Sequence, residues 1–157
     1  DPVLDFPGVN PPSTLQDAIF AARHQLPANE YREIKDATGV EPERVWRVRY
    51  LLPKAFDGQG VLPWLAGFHL MAFGHALEII QFADEAEARR ACEHLRKKKG
   101  WQKAGAFPHR LVWQRPQPTD ETITRSPGSV FLFSHQRYLF LSTLGTEYLR
   151  QFLKQLP

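Results

Sequence analysis

The stretch SVFLFSHQRYLFLST, residues 129 to 143, carries aromatic and aliphatic residues on both faces of each of its two arms. A strand that is apolar on both sides needs cover above and below it, so it belongs in the middle of a covered sheet. The stretch therefore predicts a β-hairpin with Ser134 to Arg137 as its turn. Such a sheet needs enough chain around it. The 157 residues suffice, since a domain of this size buries roughly 70% of the surface its unfolded chain exposes. With 43% apolar and 24% charged residues the composition is that of a globular protein, not of a disordered chain.

Other segments supply partners for the hairpin. Arg44 to Leu52 alternates, with Trp46, Val48 and Tyr50 on one side and Arg47 and Arg49 on the other, the pattern of a half-buried strand. Leu65 to Phe82 reads as two strands or one long strand bent near Gly74, and His109 to Arg115 as a further strand. The polar PQPTDETITRSPG between that strand and the hairpin reads as a loop.

Three main helices and one short one are expected. Ser13 and Gln16 form a capping box, and Leu15, Ile19, Ala22 and Leu26 follow at helical spacing, so a helix is predicted over 13–26, stopped by Pro27. Residues 84–99 carry every device of a helix. Asp84 stands at the N-cap with Glu87 three positions on, Ala88, Ala91, Cys92 and Leu95 share one face, and Arg96, Lys97, Lys98 and Lys99 suit the negative end of the dipole, with Gly100 placed to close it. Leu149, Phe152, Leu153 and Leu156 give the packing stripe of a helix over 146–156, and a short helix is expected to end near Gly39. The fold class is α+β: an antiparallel sheet of five or six strands with about three helices packed mainly on one face. Residues 1–12, rich in proline and glycine, are expected to form an extended arm before a single domain over 13–157.

The segment LEIIQFADEAEARRACEHL resembles the third strand and second helix of RNA-recognition-motif domains, where an acidic cap precedes an alanine-rich face. The resemblance spans about a fifth of the chain and implies an α+β sandwich. It does not carry over the family's aromatic stacking platform, because MAFGHALEII lacks the glycine and aromatic order of that strand and has no basic residue at its start.

Templates for chemistry fail on residue type or geometry. His69 and His75, with Met71 between them, suggest a metal site, but six residues of extended chain hold two side chains roughly 20 Å apart, and two ligands of one ion must each come within about 2 Å of it. No metal and no cofactor is expected. Cys92 sits on the alanine-rich stripe, where a small apolar residue belongs and a reactive thiolate would lack solvent, and His94, two positions on, points elsewhere on the helix. As the single cysteine it cannot form an internal disulfide. Glu78, a carboxylate in an apolar strand, is expected on an open face rather than specially paired. No G-x-S-x-G elbow, G-x-x-x-x-G-K-[ST] loop or G-x-G-x-x-G turn occurs.

What remains is a basic and aromatic signal: Arg44, Arg47 and Arg49 on one strand, and Lys97, Lys98, Lys99, Trp101 and Lys103 after the central helix. Arg47, Arg49, Lys97, Lys98, Lys99, Trp101 and Lys103 are the candidate residues for an anionic partner, and the formal charge of +3 permits such a partner without demanding one. The favoured expectation is a non-enzymatic interaction or accessory domain with a protein partner. The alternative is a nucleic-acid binding module on the basic, aromatic-flanked surface. A domain for a small apolar ligand under Trp46, Phe131 and Phe133 comes third. The apolar run Val61 to Ile80 contains Pro63, His69, His75 and Glu78 and so does not read as a membrane span. A chain opening on Asp1, with a proline-rich start, suggests a processed or trimmed N-terminus and an extracytoplasmic setting.

Overall fold

A computed structural model describes residues 20–51, 75–116, 129–154 and 156. Its strands join into one antiparallel sheet in the order β1-β2-β3-β7-β6-β5-β4. They are β1 (Phe20–Gln25), β2 (Arg44–Leu51), β3 (His75–Gln81), β4 (Gln102–Lys103), β5 (Trp113–Pro116), β6 (Ser129–His135) and β7 (Tyr138–Ser142). Six of these have four residues or more, and β4 adds a two-residue edge. The helices are α1 (Tyr31–Thr38), preceded by a single 3₁₀ turn, α2 (Glu85–Arg96) and α3 (Thr146–Lys154). This is the α+β architecture expected.

The hairpin β6–β7 lies at the centre, as its two-faced apolar pattern requires. Gln136 and Arg137 make the turn between the paired residues His135 and Tyr138, and Gln136 takes φ 52, a left-handed value suited to the twist of a two-residue hairpin turn. Alternation then divides the core. Phe131, Phe133, Tyr138 and Phe140 join Trp46, Val48, Leu77 and Ile79 on one face, while Leu132 and Leu139 join Val45 and Ile80 on the other.

Two helices cover the second face. α2 buries Ala88, Ala91, Cys92 and Leu95, the stripe read from the sequence. Asp84 caps it, its carboxylate accepting the Glu87 N–H at 2.8 Å, while the Glu87 carboxylate pairs with Arg90 at 3.1 Å rather than returning to the cap. α1 packs beside α2 and ends at Gly39, whose φ of 74 is the left-handed C-terminal position glycine favours. The Tyr31 hydroxyl accepts the Val45 N–H at 3.3 Å and ties α1 to β2. α3 covers the first face with Tyr148, Leu149 and Phe152, the Phe152 ring standing edge-on to Phe140 at 5.7 Å.

Three expectations are corrected. Residues 20–25 are not helical: they form β1, paired along β2 from Phe20 opposite Leu51 to Gln25 opposite Trp46. The apolar spacing that suggests a helix there is outweighed by an open ladder on β2. Residues 13–19 of the predicted helix lie outside the described residues, as do His69, Met71 and Gly74, while Leu26 is buried and bonds its N–H to the Val45 carbonyl at 2.9 Å. α2 stops at Arg96, not 99. The Lys98 N–H bonds back to the Leu95 carbonyl at 3.1 Å, a tighter turn than the α-helix, and Gly100 follows with φ 101. The strand predicted from His109 begins only at Trp113, because residues 105–110 turn so that Phe107 can enter the core.

Candidate functional site

Register decides which basic residues can act together. Arg47 lies opposite Glu78 on β3 and their side chains pair at 3.0 Å, each partly buried. Glu78 is therefore specially paired and not on an open face, and Arg47 is committed to holding it. Arg49 is opposite Ala22 and Ala76, and of it the structure describes only the backbone. Arg44, three residues before Arg47, falls on the other face by strand alternation. β2 lies five strands from β4, roughly 24 Å at about 4.8 Å per strand, so the arginine strand and the lysine segment do not make one surface.

The lysine segment stays together and gains residues that the sequence did not point to. Lys97, Lys98 and Lys99 are exposed in the turn after α2. The chain then enters β4, where Lys103, also exposed, pairs with Trp113 of β5. Continuing the register sets Trp101 opposite Arg115, and the Arg115 guanidinium stands 4.7 Å over the Trp101 ring. Arg96, from the last turn of α2, stands 4.9 Å over the Trp113 ring. Each pair has cation–π geometry, and together they clamp the end of α2 onto the β4–β5 edge. Directly opposed residues share a face, so Trp101, Lys103, Trp113 and Arg115 all lie on the α2 side of the sheet.

The electrostatics of this edge are one-sided. Arg96 bonds Glu93 at 2.8 Å, which holds that carboxyl below its ordinary range and raises the guanidinium. Elsewhere Lys35 meets Glu41, and Arg89 and Arg90 meet Glu85 and Glu87. Among the described residues Lys97, Lys98, Lys99 and Lys103 have no carboxylate within ion-pair distance. The indole N–H groups of Trp101 and Trp113 and the Arg115 Nε–H are buried with no acceptor among the described residues.

Groups with a chemical reputation are accounted for by packing. Cys92 is a buried free thiol, and burial pushes its pKa up to about 12, which keeps it protonated. Trp46, Phe131 and Phe133 are core: Phe131 packs edge-on to Phe107 at 5.5 Å and Phe133 stacks on Phe140 at 4.8 Å. No cluster of three or more metal-ligating side chains occurs among the described residues, and no helix among them is long and apolar enough to cross a membrane.

Neither family models, curated proteins nor solved structures give a match to this chain. The reading of the site rests on its own geometry.

Proposed function

We propose that this chain is a non-enzymatic interaction domain and that its binding surface is the turn after α2 together with the β4–β5 edge. One observation carries the reading: Lys97, Lys98, Lys99 and Lys103 lie exposed along one edge and none forms an ion pair among the described residues, Glu93, the carboxylate that feels Lys97, being bonded to Arg96. Four like charges in one neighbourhood repel one another, which offsets what they gain from the helix dipole, so folding gains little from gathering them, whereas an anionic partner gains from all four. Arg47 and Arg49 are left out of the surface, and Trp101 serves it as a clamp for Arg115 rather than as an open stacking ring.

A fluorescent polyglutamate and a DNA duplex, each titrated at two salt concentrations, test the proposal. Binding should weaken with salt and fall by about tenfold or more when Lys97, Lys98 and Lys99 are changed together to Gln. A triple variant that binds as the parent does would overturn the assignment of the surface.

A further inference from the structure

The same edge has a second property that says what kind of polyanion it takes. The Ala104 N–H bonds the Val112 carbonyl at 2.8 Å, and in an antiparallel ladder pairs alternate between those that exchange hydrogen bonds and those that do not. The next pair, Lys103 with Trp113, is of the second type, so the Lys103 N–H and C=O point away from β5, outward from the sheet. β4 is the last strand on its side, and among the described residues nothing pairs with its outer edge.

Two features therefore meet at one edge: an outward backbone donor and acceptor, and a group of exposed lysines. We infer that the partner is an extended acidic polypeptide segment that adds to the sheet as a strand beside β4, its carboxylates meeting Lys97 to Lys99 and Lys103. Strand addition supplies backbone hydrogen bonds while alternate side chains supply selectivity. A segment alternating acidic and aliphatic residues sets all its carboxylates on one face, the α2 side with Lys103, while its backbone meets the outward donor and acceptor. A nucleic-acid backbone fits the lysines alone, because the Trp101 and Trp113 rings already carry Arg115 and Arg96. A lysine on a strand edge commonly serves to block unwanted pairing. Here the adjacent charge turns that block into a filter: a basic segment is repelled, a neutral one gains nothing from the lysines, and an acidic one is attracted.

The inference rests on the proposed interaction surface, and the test separates the two. Capped eight-residue peptides of alternating Glu and Val, and of alternating Glu and Pro, have equal charge, but proline cannot sustain a strand ladder. Each is titrated into the full chain alongside a DNA duplex, with amide hydrogen exchange followed at Lys103. The Glu-Val peptide should bind about tenfold or more tighter than the other two and slow Lys103 exchange by a similar factor, and the Lys97/Lys98/Lys99→Gln variant should lose both effects. Equal, lysine-dependent binding of both peptides without protection at Lys103 would overturn strand addition and leave the surface standing. Preference for the duplex would overturn the acidic polypeptide in favour of phosphate. No binding of any probe up to about 1 mM would overturn both the inference and the proposed surface.

Discussion

The two ends of α2 treat charge in opposite ways. At the start each charge has an internal use: Asp84 caps the helix, Glu85 holds Arg89 at 2.7 Å and Glu87 holds Arg90 at 3.1 Å. These acids also meet the positive end of the helix dipole. At the other end Arg96 is used twice, on Glu93 and on Trp113, and then Lys97, Lys98 and Lys99 follow with no carboxylate partner among the described residues. Dipole compensation accounts for one or two cations within the last turn, not for three in a row beyond it plus Lys103 across the edge. The first end is explained by folding. The second carries more cations than dipole compensation uses.

The comparison breaks if the buried stripe of α2 proves tolerant. Ala91 is fully buried against the sheet, and α2 lies over the central strands β6 and β7. Ala91→Phe should overpack this layer and cost about 1 to 3 kcal/mol, read as a lowered denaturant midpoint at unchanged slope. A parental midpoint would mean that α2 is loosely seated and that its stripe does not fix the position of the lysines.

Where periodicity was matched by burial, the fold was legible. The alternation of Arg44 to Leu51, the two-faced hairpin and the alanine stripe of α2 each name one environment, and the strands and helix follow from it. β1 looks helical in isolation because Ile19, Ala22 and Leu26 satisfy a helical spacing, and its strand state comes from pairing with β2, which local sequence does not display. Glu78 shows the same limit, since its partner Arg47 is set by the register of two strands distant in the chain. At the candidate site the lysines were legible as a run. The contributions of Arg96, Trp113 and Arg115 were not, because they depend on a nine-residue connection that folds β5 back beside β4. A strand expected from His109 gave no reason to place Trp113 opposite Lys103.

A subtler check concerns the thiol at the middle of α2. The Cys92 pKa in the fold, about 12, lies above its ordinary 9.0, with burial as the main cause. Below pH 9 its contribution is complete. Between those two values the unfolded chain releases the proton and the folded one keeps it, so stability must fall as pH rises. The slope is on the order of 1 kcal/mol per pH unit, and it should be absent from Cys92→Ala. Comparing the two proteins from pH 8 to 11 isolates it from tyrosine and lysine titration. Equal alkaline slopes, or rapid labelling of native Cys92 by a thiol reagent at neutral pH, would show this face of α2 to be open to water.

The smallest expected effect is the one that decides the comparison. Changing Lys97, Lys98 and Lys99 together to Gln removes a favourable interaction with the helix C-terminus and also removes repulsion among three neighbouring cations and Lys103. These terms oppose each other, both are screened by solvent at exposed positions, and the anchoring of α2 by Arg96 on Glu93 and Trp113 is untouched. The net change in stability should stay within about 0.5 kcal/mol, and the melting temperature should move by no more than about 4 °C. Measured by thermal unfolding at low and high salt, a loss of about 2 kcal/mol or more would make the lysines structural, and the two ends of α2 would then differ in sign of charge but not in purpose. A variant that melts as the parent does, while losing its acidic ligand, separates the end that builds the fold from the end that uses it.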